Sequence, residues 1–98
     1  MILNSKQRAY LRSLATAEPT IMQIGKDGLG ENLVKTVSDA LEARELVKLT
    51  VLENSGEDPR AVLDALCEAL GAEGVSAVGR KIVLYRESKE KKTIILPK

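Results

Sequence analysis

The stretch "NSGEDPRAVLDALCEALGAEG", residues 54–74, constrains this chain more than any other. Asp58 carries a side chain that accepts from the open amides of a helix start. Pro59 stands at the first helical position, where a missing N–H costs nothing, and Gly71 is a residue that stops a helix. Between these signals Val62, Ala65, Leu66, Ala69 and Leu70 recur at three- and four-residue spacing. That stripe is wide enough to cover a sheet.

The neighbouring segments supply the sheet. "LVKLTVL", residues 46–52, alternates Val47, Leu49 and Val51 on one face with Lys48 and Thr50 on the other. "GVSAVGRKIVLYR" reads as two strands, Val75 to Val78 and Lys81 to Tyr85, joined by a turn at Gly79-Arg80. Nearer the start, residues 5–16 form a helix capped by Asn4 or Ser5, with Tyr10, Leu11, Leu14 and Ala15 as its apolar stripe and Pro19 ending it. "TIMQI", residues 20–24, is a short strand, and Leu33, Val34, Val37, Ala40 and Leu41 mark an amphipathic helix from Gly30 to Arg44. The order α-β-α-β-α-β-β implies an α/β sandwich of two or three layers on a mixed four-stranded sheet. One domain, residues 1–98, accounts for the whole length. Residues 89–98 are expected either as a flexible basic tail or, through "TIILP", docked back on the sheet.

Apolar residues make up 44% of the chain and charged residues 30%, the balance of a folded globular protein. No apolar run reaches the ~20 residues that span a bilayer, and "MILNSKQRAYLRS" lacks the uncharged core of a signal peptide. No membrane partner and a cytoplasmic location are expected. The single cysteine, Cys67, cannot form an internal disulfide and reads as a small core or helix-side residue. The absence of histidine excludes imidazole catalysis, and one cysteine without histidine makes no zinc site. We therefore expect no enzyme, no cofactor and no metal. Asp39, Glu42, Glu45 and Glu68 read as solvated helix faces.

The formal charge of +1 conceals an asymmetry. Residues 1–35 carry five basic side chains against three acids, residues 36–79 three against nine, and residues 80–98 seven against two. If the terminal segments lie together, one side of the fold is basic and can meet phosphate.

Three glycines fall within six residues, at positions 25, 28 and 30, between the short strand and the second helix. Gly25-Lys26-Asp27-Gly28 is a G-x-x-G element, too common alone to separate a plain turn from a binding loop. Chemically it suits phosphate: glycine lets an anion approach backbone N–H groups, the following helix adds open amides and the positive end of its dipole, and Lys26 adds a mobile charge. No Gly-Lys-Ser/Thr ends the loop and it does not fit G-x-G-x-x-G, which disfavours nucleotide hydrolysis and dinucleotide binding. RNA-binding KH modules clamp nucleotide backbone with such a loop. With only Tyr10 and Tyr85 as aromatics, base stacking is a minor contribution and backbone contact the major one.

"LNSKQRAYLRSLA", "IGKDGL", "ALEARELVKLTV" and "VGRKIVLYR" followed by K-x-K-K resemble, in order and spacing, the CRM (chloroplast RNA splicing and ribosome maturation) domain. The likeness is to the bacterial stand-alone, YhbY-type RNA-binding proteins and covers roughly residues 2–97. It implies a fold similar to the C-terminal domain of translation initiation factor three. It also implies a non-enzymatic role on precursors of the large ribosomal subunit, with ribosomal RNA as partner and ribosomal proteins nearby. Carried over by residue, the implied RNA contacts are Gly25, Lys26, Asp27 and Gly28 in the loop, Lys6, Arg8 and Arg12 on the first helix, and Arg80, Lys81 and Arg86 on the last strands. Asp27 departs from a neutral or basic loop. The alternative is a protein-interaction module using the acidic face of the helix Asp58 to Leu70 and of the region around Glu42 and Glu45. An enzyme or small-molecule sensor has little support, and a phosphate clamp alone does not separate RNA from DNA.

Overall fold

The computed structural model describes residues 3–26 and 28–98. The elements run α1 (Ser5–Ala15), β1 (Met22–Ile24), α2 (Glu31–Arg44), β2 (Leu46–Val51), α3 (Pro59–Leu70), β3 (Glu73–Val78) and β4 (Lys81–Tyr85), with one 3-10 turn at Glu53–Ser55. The sheet order is β1-β2-β4-β3. β1 and β2 are parallel, and β4 runs antiparallel to both β2 and β3, so it is inserted between two strands that point the same way.

Three layers result. The face with Ile24, Val47, Leu49, Val51, Ile82 and Leu84 packs against Val37 and Leu41 of α2 and Val62, Leu63 and Leu66 of α3. Alternate residues Leu46, Val83 and Tyr85 face the other way and pack with Val75 against Leu11 and Ala15 of α1. The period-two pattern of β2 thus divides the two cores, each residue one position along changing sides.

Local chemistry sets the helix ends. Asn4 takes the α1 cap: its side chain accepts from Gln7 N at 2.8 Å while Gln7 Oε1 accepts from Asn4 N at 3.1 Å. Asp58 Oδ2 accepts from Ala61 N at 3.1 Å, and Gly71 closes α3 at φ +63°. β3 begins two residues before the pattern suggests, at Glu73. Its register slips between Gly74 and Ser76, which breaks the alternation that reveals a strand. Gly74 also lies tight under α3, where an added Cβ would stand 3.3 Å from Leu63 Cδ2.

One expectation is reversed. Glu45 does not lie on a solvated face: it is wholly buried, and it ends α2 at φ +67°, in the region that favours glycine. Its carboxylate accepts from Ser88 N at 2.9 Å, Thr93 N at 2.7 Å and Ile94 N at 3.0 Å. Glu42 is half-buried, accepting from Lys89 N at 2.9 Å and from the Ser88 hydroxyl. Residues 89–98 form no helix or strand. These two carboxylates hold the segment, Ile94 and Leu96 pack into the α1 core, and Gln7 Nε2 donates to Pro97 O at 3.0 Å. A sequence pattern marks Glu42 and Glu45 as polar; it cannot see that their partners are backbone amides more than 40 residues away.

Candidate nucleic-acid interface

β1 and β2 are parallel and finish at the same end of the sheet, and the glycine loop leaves from there. Gly28 N donates to Gly25 O at 3.0 Å, closing the turn. Gly28 has φ +64°, a conformation costly for other residues. The other two glycines are different. A Cβ on Gly25 would meet Leu52 Cδ1 at 3.8 Å and Asn54 Oδ1 at 4.0 Å, ordinary contacts, and one on Gly30 would meet nothing within 4 Å. Gly30 is the N-cap of α2 in ordinary extended backbone, and it brings no side-chain cap to the amides that follow. Lys26 is exposed beside them. The loop and the first turn of α2 line an open cleft of about 560 Å³. Asp27 lies outside the described residues.

From this loop the α1 side of the sheet leads away. Register aligns Gln23 with Thr50, Thr50 with Lys81 and Lys81 with Val78 in one row across all four strands. Behind the row, Arg12, Lys48 and Lys81 line a groove of about 300 Å³ with Ala15 and Val83 among its apolar residues. Lys48 was not a candidate from the sequence, although its place opposite Val47, Leu49 and Val51 was the available signal. Its Nζ donates to Ala15 O at 3.2 Å, at the negative end of the α1 dipole, which fixes the charge in the groove.

The remaining candidates separate. Lys6 is exposed on α1. Arg8 uses Nε to donate to Gly74 O at 3.2 Å, pinning α1 to β3. Arg80 donates to the carbonyls of Val51 at 2.7 Å, Leu52 at 2.9 Å and Glu57 at 3.2 Å, so it latches the β3–β4 turn to the segment after β2. Arg86 turns to the opposite layer, donating to Leu70 O at 3.1 Å and Ser38 O at 2.8 Å beneath α2 and α3. It does not join the groove of Arg12, Lys48 and Lys81. Tyr85 is 2% exposed and Tyr10 38%, so at most one ring is offered to solvent.

Among the described residues the only salt bridge is Lys92 to Glu87 at 2.9 Å. Lys6, Arg12, Lys26, Lys48 and Lys81 therefore have no described carboxylate in ion-pair range, although Glu31 lines the same cleft as Lys26. No cluster of described residues could hold a metal ion, and no helix among them is long and apolar enough to cross a membrane. What the arrangement can do chemically is bind an anion with amides, a flexible lysine and a fixed cationic groove.

Comparison with known proteins finds relatives along nearly the whole chain. A Bacillus subtilis protein named a probable RNA-binding protein, YqeI, is 46% identical over 96 residues, covering 98% of this chain and all of the relative. An RNA-binding protein of Haemophilus influenzae is 32% identical over 96 residues, 98% of this chain and 96% of its own. The solution structure of SAV1595 from Staphylococcus aureus, described as a candidate RNA-binding protein, superposes with a TM-score of 0.82 at 49% identity, covering 98% of this chain and all of that one. Residues 3–86 match the CRS1 / YhbY (CRM) domain, and the chain belongs to that family.

Proposed function

We propose that this chain is an RNA-binding protein without catalytic activity. It holds RNA backbone with the Gly25–Gly28 loop, Lys26 and the N-terminal amides of α2, and extends the contact over Lys6, Arg8, Arg12, Lys48 and Lys81. Arg80 serves indirectly, by fixing the end of the sheet that carries the loop. The reading is supported by relatives named for RNA binding and by one observation above all: Gly25 and Gly30 are glycines where neither backbone angle nor packing requires one. A bare backbone there makes sense for a ligand that must come close to amide hydrogens. The partner we infer is ribosomal RNA in a precursor of the large subunit, met in the cytoplasm, with ribosomal proteins adjacent.

The test is equilibrium binding to a large-subunit ribosomal RNA fragment across a salt series, with a small-subunit fragment and DNA of the same sequence as competitors. Wild type binds the large-subunit fragment with a steep log-log salt slope, and Lys26→Glu weakens it tenfold or more, about 1.4 kcal/mol. Gly25→Ala weakens binding without lowering the melting temperature. Equal binding by all three proteins would refute the clamp, and equal competition by DNA would refute the RNA assignment.

A further inference from the structure

We propose that the RNA-contact surface does not stop at the α1 side of the sheet but turns round the open edge of β3 to Arg60, on α3 in the opposite layer. This rests on the RNA reading above. The groove of Arg12, Lys48 and Lys81 shares Arg12, Ser76 and Val78 with a second groove of about 500 Å³. The second is lined by the Gly74–Val78 strand, by Arg8 and Arg12 from α1 and by Arg60 and Asp64 from α3. Since α1 and α3 cover opposite faces, the three guanidinium groups straddle the strand.

β3 ends the sheet, so its outer edge has no neighbouring strand. An added peptide strand is a poor fit, because the register slip at Gly74/Ser76 breaks the edge and Arg8 already occupies Gly74 O. A sugar-phosphate backbone needs no regular ladder and matches planar guanidinium donors in pairs. Arg8 donates through Nε, which leaves its Nη groups for such a contact. Val78, 73% exposed, offers an apolar surface between the charges. Asp64 is the one acid in the groove and makes no salt bridge with Arg60.

The glycine loop lies at the β1 edge and this groove at the β3 edge, three strand spacings or about 14 Å apart. A G-x-x-G clamp takes about four nucleotides. A tetranucleotide is used up in the clamp, and only nucleotides beyond those four are free to cross the sheet and round the edge.

Amide and arginine Nε resonances are followed by NMR during titration with single-stranded RNA of four and twelve nucleotides, and the affinity for the twelve-mer is measured across a salt series. The four-mer shifts the loop amides; the twelve-mer also shifts Ser76–Val78 and Arg60 Nε. Arg60→Gln, at an exposed helix position, weakens twelve-mer binding three- to tenfold and makes its salt slope shallower by about 1, with an unchanged melting temperature. Twelve-mer affinity and slope unaltered in Arg60→Gln would overturn the proposal, as would binding of an acidic peptide to the β3 edge with no RNA shifts there. If Lys26→Glu has no effect while Arg60→Gln does, the clamp fails and the edge groove stands.

Discussion

Replacing Glu45 by glutamine keeps its volume and its place at the end of α2, and removes the charge that holds the C-terminal segment. Oε1 accepts from Thr93 N, Ile94 N and Thr93 Oγ1, and Oε2 from Ser88 N. A glutamine oxygen can keep the first set, but its amide nitrogen then meets the Ser88 N–H, donor against donor. One hydrogen bond to a charged acceptor is lost, worth about 1.5–3 kcal/mol, and the others fall to neutral strength. The total is about 3 kcal/mol against the docked tail. Because the tail can open without the sheet unfolding, the loss appears first as local opening. Amide exchange at Thr93 and Ile94 should accelerate by about two orders of magnitude, with a smaller fall in the urea midpoint. Exchange at both amides within twofold of wild type would refute the tether. A companion pair isolates the backbone: Glu45→Gly and Glu45→Ala both lose the carboxylate, but glycine accepts φ +67°, so it should be the more stable of the two by about 1 kcal/mol.

Acid should release the same segment. Burial works to raise the Glu45 pKa, but the amides of Ile94, Ser88 and Thr93 outweigh it and hold the group below its ordinary value of 4.5, and the Ser88 hydroxyl does the same for Glu42. A depressed folded-state value gives stability that is complete above 4.5 and lost as pH falls through the lower folded value; Thr93 and Ile94 exchange, corrected for intrinsic rate, should rise only in that acid range. Gly74→Ala should cost about 1–2 kcal/mol in urea denaturation, since its Cβ would press Leu63, whereas Gly25→Ala should be neutral or slightly stabilising. The Cys67 thiol is pushed up to about 11 by burial and then by Glu73 and Asp64, so at pH 8 about one molecule in a thousand carries the thiolate. Alkylation should be slow in the native state and fast in urea.

The architecture was legible because its signals are local. The Asp58-Pro59 start and Gly71 stop of α3, the stripe of α2 and the alternation of β2 each fit within a few turns of chain. β3 is longer than its alternation indicates because the slip at Gly74/Ser76 disrupts the only local signal a strand has. Of the candidate contacts, exposure was legible for Lys26, Arg12 and Lys81, which lie on the loop or line one groove. The carbonyl partners of Arg80 and Arg86 were not legible, since a guanidinium serving phosphate and one serving carbonyl oxygens have the same sequence signature. Only the fold decides which acceptor lies within reach. Lys48 was the converse, a basic residue in a strand whose alternation indicated its face but not that Arg12 and Lys81 would meet it.

The contact of Gln7 with Pro97, 90 residues apart, makes the backbone almost a ring. A short linker could join the ends of the described chain without moving any element, and the ring could then be cut elsewhere. Cutting it at the exposed Glu53–Glu57 segment would place new ends near the glycine loop, while cutting it at Gly79 would separate β3 from β4, the two strands that now form the closing hairpin. A permuted chain opened at either point would have to assemble the same sheet in a different temporal order. If such chains reach the same fold, the strand order β1-β2-β4-β3, in which the last strand of the sequence lies between β2 and β3, is a property of the packed cores and not of the direction in which the chain is made.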